Sequence, residues 1–201
     1  MVKPIKLSKK NGIAIVSLSA GTIGEEFASH QLDLAIKRLN LDFQLNVMIA
    51  KNALKGIKVL KENPMLKVED LNEVFSNVNV KAIICAIGGF DTYKTIPLLL
   101  EDENFKNLVL NNPKIFIGYS DSTINHLMFY RLGLKTFYAI LMNLTKKCCL
   151  ILKTHLNDYS IIKLNLKLNQ VHIDMKNEMI FQKKHWIYQE RNIETLQNMN
   201  F

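Results

Sequence analysis

Short apolar runs alternate with stretches of helical spacing along the first two thirds of the chain. Ile13 to Leu18 (IAIVSL), Phe43 to Ile49, Lys81 to Ile87 (KAIICAI) and Lys114 to Ile117 (KIFI) are continuous or nearly continuous apolar runs. Runs of this length are expected of strands buried on both faces. Between them, Glu25 to Leu39, Asn63 to Ser76, the segment with Ile96, Leu99 and Leu100, and Asp121 to Leu132 carry apolar residues at helical spacing. Lys135 to Tyr138 closes the series as one more short strand. Strands alternating with helices predict an α/β fold, a parallel sheet with helices on both faces. In such sheets ligands bind at the carboxyl ends of the strands. The loops beginning at Ser19, Gly88 and Ser120 all follow strands and are expected to converge on that edge.

The third of these loops carries the clearest chemistry. Gly118-Tyr-Ser-Asp-Ser122 joins an apolar run to a helical pattern, with Ser120 at the apex and small residues two before and two after it. This is the layout of a nucleophile elbow, although the usual glycine after the serine is replaced by Ser122. The helix that follows would offer free N–H groups and its positive dipole end to the serine oxygen. An oxyanion formed there would meet the N–H of Asp121. The spacing taken by itself favours a Ser or Asp that caps an ordinary helix.

The other two loops are less specific. Ser19-Ala-Gly-Thr-Ile-Gly24 resembles a phosphate cradle, but it lacks the G-x-G-x-x-G spacing and is followed by Glu25-Glu26, which would repel a phosphate. These carboxylates read as dipole-complementing starters of the following helix. Gly88-Gly89 permits either close approach to a ligand or a plain strand-to-helix turn.

Composition narrows the function classes. The formal charge of +8 is spread along the 201 residues, +4 in residues 1–138 and +4 in residues 139–201, with no basic block interleaved with aromatics. Nucleic-acid binding is therefore not expected. Cys85, Cys148 and Cys149 form neither a disulfide framework nor a metal-ligand spacing, and Cys85 lies in an apolar run as a small hydrophobe would. No leader or transmembrane span is visible, so a cytoplasmic location without a membrane span is expected. All glycines lie at or before Gly133 and all prolines at or before Pro113. Average usage would place about eight such residues in the 68 that follow Gly133. That tail is expected to be a poorly determined remnant, with residues 1–138 forming the folded domain.

With these motifs in place, the chain resembles the LD-carboxypeptidase / microcin C7 self-immunity family of serine peptidases. The resemblance rests on SLSAGTIGE after the first strand, VEDLNEVFSNVNVKAIICAIGGFDTYKTIPLL in the middle, and KIFIGYSDST with LGLKTFY, and spans about residues 11–138. It implies a flavodoxin-like, class I glutamine amidotransferase-like N-terminal domain and cleavage of an amide bond near a carboxylate end. The substrate class is a muropeptide or a related peptide conjugate. It further implies a Ser–Glu–His triad with no cofactor or metal. Ser120 then matches the nucleophile, and the N–H groups of Asp121 and Gly89 match the oxyanion hole. Gly88, Phe90 and Ser19, on the adjoining loops, are expected on the substrate side.

The family's Glu and His belong to a second domain. His172, His185, Glu178 and Glu190 lie in the tail without matching motifs, and read as solvated residues. His30 and His155 have no evident partner, and His126, on the helix leaving the elbow, is expected to point away from the Ser120 hydroxyl. Without a general base a serine hydroxyl is a poor nucleophile. The expectation is therefore a hydrolase domain that is incomplete and weakly active or inactive alone, or completed by another copy in a homodimer, with a non-catalytic peptide- or carboxylate-binding domain as the alternative.

Overall fold

The computed structural model describes residues 1–86 and 88–138. In chain order the elements are β1 (Gly12–Val16), α1 (Ser29–Leu41), β2 (Asn46–Ile49), α2 (Gly56–Glu62), α3 (Met65–Ser76), β3 (Val80–Cys85), α4 (Ile96–Glu101), α5 (Glu103–Asn111), β4 (Ile115–Gly118), α6 (Thr123–Arg131) and β5 (Phe137–Tyr138). The five strands form one sheet in the order β2-β1-β3-β4-β5, and every pairing is parallel. Parallel neighbours require crossovers, and the helices supply them. This is the flavodoxin-like strand order, in which ligands sit at the carboxyl edge beside the switch between β1 and β3. The tail from residue 139 and Ile87 lie outside the described residues.

The buried strands divide their side chains by the two-residue period of the pleat. Ala14, Val16, Ile83, Cys85 and Phe116 join Leu71, Val74, Phe75, Phe105, Val109 and Phe129 in one core. Ile13, Ile15, Ala82, Ile84, Ile115 and Ile117 join Leu32 and Leu39 of α1 in another. The larger core is centred on aromatic rings: Phe116 and Phe129 lie 4.8 Å apart, and Phe75 and Phe105 meet edge to face at 5.4 Å. Fully burying a side chain of this size stabilises by about 1.5–3 kcal/mol. Cys85 belongs to this packing, and burial pushes its thiol up to about 12, so it is not a reactive group. The register carries the edge into the site, because Ile117 pairs with Phe137 and Gly118 with Tyr138. The segment leading to β5 is pinned from the other end of the chain. The Val2 N–H donates to the Gly133 carbonyl, and the Lys135 N–H donates to that of Val2.

Several local expectations change. The first helix begins at Ser29 rather than Glu25. Glu25 is extended (φ −89°, ψ 146°), and its carboxylate accepts the Ile57 N–H at 2.6 Å. It complements the dipole of α2, a helix whose start has no local cap, rather than that of its own segment. The α2 and α5 helices were not foreseen. For α5 the cap is local, because the Asp102 carboxylate accepts from Asn104 N at 2.9 Å and Phe105 N at 3.2 Å.

A polar pair is buried behind the sheet. Asp70 on α3 accepts from Asn52 N at 3.0 Å and Asn52 Nδ2 at 2.9 Å. Burial nevertheless pushes its carboxyl up to about 6, with the Asn52 bonds opposing. A raised carboxyl favours the folded state at low pH, so that contribution is complete below about pH 4 and is lost as pH rises through 6. Asp70→Asn is therefore expected to raise the unfolding midpoint at pH 7–8, by the equivalent of about 2 kcal/mol. It should also flatten the stability profile between pH 4 and 6, as thermal denaturation across that range would show.

Candidate active site

The turn after β4 is built around a strained serine. Tyr119 is extended (φ −158°, ψ 177°), and Ser120 then takes a left-handed conformation at φ 59° before the turn Ser120–Ser122 runs into α6. A non-glycine residue there costs on the order of 1 kcal/mol and persists only where its surroundings impose it. Here they do. The Thr123 hydroxyl donates to the Ser120 carbonyl at 2.5 Å, and the Ser122 hydroxyl to the Tyr119 carbonyl at 2.8 Å. The Ser120 N–H donates to the Tyr138 hydroxyl at 3.1 Å. Gly118 is required by close approach: a Cβ on it would lie 2.5 Å from Ser122 Oγ and 3.2 Å from Cys85 Cβ. Ser122 takes the place of the usual glycine because its side chain occupies the room Gly118 leaves.

Asp121 ties this turn to the two other strand-end loops. Its Oδ2 accepts from the Ser19 hydroxyl, the Thr92 N–H (3.2 Å) and the Thr92 hydroxyl (2.6 Å). The loops after β1 and β3 also bond each other, Ala20 N–H to the Gly88 carbonyl at 2.9 Å. Gly88 and Gly89 have φ of 93° and 137°, conformations open to glycine. Ser19, Gly88, Gly89 and Asp121 thus stand together at the carboxyl edge, the first of them buried and its hydroxyl taken up by Asp121. Phe90 is 71% exposed on the same loop. Next to it, Asp91 forms an ion pair at 3.1 Å with Lys67, whose side chain is fully buried.

The opposite flank of Ser120 belongs to β5. His126 on α6 directs Nε2 at the Gly118 carbonyl (3.0 Å) and Nδ1 at the Thr136 hydroxyl (2.7 Å). A carbonyl only accepts, so Nε2 carries the proton and Nδ1 accepts from Thr136. The ring packs against Phe116 and Tyr138. Burial pulls its pKa below the usual histidine range, with the Gly118 bond opposing. Both ring nitrogens are thus engaged in holding the turn and β5 together, and His126 has no nitrogen left for the Ser120 hydroxyl. His30 meets Gln31 at the surface. His155, His172, His185, Glu178 and Glu190 lie outside the described residues.

Thr92, Thr136 and Tyr138 are the site residues that sequence reasoning missed. Only the LGLKTFY segment pointed towards the last two, and neither had been given a role. Chemically, the arrangement combines a serine at a tight turn, backbone N–H groups at the start of a helix, and a glycine pair on the adjoining loop. Such a set can serve acyl transfer once a general base completes it. Among the described residues no group of three or more His, Cys, Asp or Glu could hold a metal ion, and no helix is long and apolar enough to cross a membrane.

Known proteins resemble this chain over the same stretch. The profile of the LD-carboxypeptidase N-terminal domain matches residues 13–139. A probable murein peptide carboxypeptidase of Bacillus subtilis is 37% identical over 78 residues, 38% of this chain and 23% of that protein. The microcin C7 self-immunity protein MccF of Escherichia coli is 36% identical over 74 residues, 36% of this chain and 20% of that protein. Among solved structures, an MccF-like protein from Streptococcus pneumoniae in complex with AMP superposes with a TM-score of 0.61 at 45% identity, covering 65% of this chain and 37% of that one. The chain thus matches less than half the length of these relatives. On a profile match over more than half of its length, the chain belongs to the S66 peptidase family and carries that family's LD-carboxypeptidase N-terminal domain.

Proposed function

We propose that residues 1–138 are the nucleophile-bearing domain of a serine-type LD-carboxypeptidase-like hydrolase. Ser120 is the nucleophile, and the N–H groups of Asp121 and Gly89 receive the oxyanion. Gly88 and Phe90 border the substrate, and Ser19 anchors the loop beside it. The observation that carries this reading is Ser120 held at φ 59° between the end of β4 and the start of α6. A serine kept in a costly conformation by its surroundings, at the ligand-binding edge of the sheet, is a functional-site signature. The substrate class is a peptide bearing a carboxylate near the scissile amide, in keeping with relatives described as a murein peptide carboxypeptidase and a microcin self-immunity protein.

In this reading the nucleophile and its donors lie within residues 1–138, and the resemblance assigns Glu and His to a second domain. Turnover by the chain alone is therefore expected to be low. The competing reading, a non-catalytic peptide- or carboxylate-binding domain, keeps the cleft without an activated serine. Reaction of a fluorophosphonate with the chain joined after Tyr138 to the second domain of an S66 relative, which brings the base, separates the two. The expected result is a single covalent modification on Ser120 by mass spectrometry, absent from Ser120→Ala. An unmodified fused chain would favour the binding domain.

A further inference from the structure

We propose that the Asp121 side chain is a positioning residue of this site. Its carboxylate fastens the loops after β1 and β3 to the serine turn, and so fixes the relative placement of the Asp121 and Gly89 N–H groups. The inference rests on the reading of Ser120 as nucleophile.

Three donors converge on one oxygen, Asp121 Oδ2, and none comes from its own helix start. Ser19 is 102 residues away in sequence and Thr92 is 29 away. Hydrogen bonds to a charged group are stronger than those between neutral groups, so three of them on one oxygen add to the backbone bond that already joins the two loops. Thr92 Oγ1 also lies 3.1 Å from the Leu18 carbonyl, but a hydroxyl has one hydrogen. The charged acceptor at 2.6 Å takes it. Thr92 is fully buried, so this bond has no water to compete with it.

The same contacts address an electrostatic difficulty. A carboxylate one residue after the nucleophile would repel an oxyanion forming there. Turned into the two loops, Asp121 has its charge absorbed by three fixed donors, while its N–H remains part of the helix start. Gly89 is held by the same device. A Cβ built on it would overlap Ser19 Oγ, the hydroxyl that Asp121 binds. Releasing Ser19 from Asp121 would therefore free the ground on which Gly89 rests.

The test uses the full chain and phenylboronic acid, whose boron takes the serine oxygen as a fourth ligand to form a tetrahedral boronate anion, the O–H bond breaking and its proton passing to the buffer. The equilibrium reports oxyanion placement without requiring a general base for turnover. Adduct affinity is measured by boron NMR at fixed pH, alongside the thermal unfolding midpoint. The wild-type chain is expected to form an adduct that Ser120→Ala lacks. Thr92→Val should weaken it tenfold or more, and Thr92→Ser, which keeps both the N–H and the hydroxyl, should restore it to within about twofold. Should Thr92→Val not fold, Ser19→Ala removes the donor from the other loop and is expected to weaken the adduct similarly.

Wild-type affinity in the hydroxyl-deleted variants would overturn the positioning role while leaving the nucleophile intact. Equal weakening in Thr92→Val and Thr92→Ser would overturn it as well. A wild-type chain that forms no adduct at Ser120 would remove the nucleophile reading and this inference together.

Discussion

Replacing Gly89 with alanine, in the chain joined to a relative's second domain, is expected to lower the rate of Ser120 modification by about 10²–10³, the usual cost of losing one oxyanion donor. A Cβ at this position would overlap Ser19 Oγ and lie 2.5 Å from Ala20 N and 2.7 Å from Ala20 Cβ. Two of these three neighbours belong to the rigid part of the adjoining residue, so the loop after β1 must move. In moving it carries Ser19 away from Asp121. The backbone compounds the problem, because φ of 137° is a region that alanine rarely enters. Together these effects should destabilise the fold by about 2–4 kcal/mol. Gly88→Ala is the informative companion. Its φ of 93° is also unfavourable, but its Cβ would meet only Thr22 Oγ1 at 3.6 Å. Fluorophosphonate labelling rates and unfolding midpoints for the pair should separate steric collapse at Gly89 from backbone strain common to both.

Lys67→Met is expected to be the most destabilising single substitution outside the hydrophobic core. The Lys67 side chain is fully buried and its Nζ lies 3.1 Å from Asp91 Oδ1. Removing it leaves the Asp91 carboxylate, itself 14% exposed, with Lys94 at 4.0 Å as its remaining cation. Breaking a buried pair on one side typically costs about 3–5 kcal/mol, because the surviving charge stays desolvated. The damage should reach the site, since Asp91 lies two residues after Gly89 and directly before Thr92. Chemical denaturation should show the loss, and Lys67→Met/Asp91→Asn should recover most of it. A single variant as stable as the wild type would mean that Asp91 is solvated by another route.

Legibility in the sequence followed the range of the forces involved. The strands were readable because an apolar run such as Ile13–Val16 is short, rich in β-branched residues and preceded by Gly12, which favours a doubly covered strand over a helix. Their parallel pairing followed from the intervening helices. The serine turn was readable because Gly118, Ser120 and Ser122 lie within five residues. What was hidden depends on distant partners. Glu25 caps a helix that begins 31 residues later, so its neighbour Glu26 and its own position suggested the wrong helix. Thr92 could not be placed because its role exists only once Asp121 is beside it. Tyr138 reaches Ser120 through the register of β4 and β5, which no local pattern specifies. By contrast α5 was missed although its cap was local: Asp102 followed by Phe105, Leu108 and Val109 is a readable helix start.

The most direct test of the proposed role is hydrolysis of an L,D-linked muropeptide by two proteins. One is the 201-residue chain, and the other carries the second domain of an S66 relative after Tyr138. Loss of a triad member costs on the order of 10⁴–10⁶ in rate. The fusion is expected to exceed the chain alone by at least about 10³ and to lose that activity with Ser120→Ala. Turnover by the fusion that survives Ser120→Ala would contradict Ser120 as the nucleophile. Equal and robust turnover by both proteins would show that the chain already contains its general base.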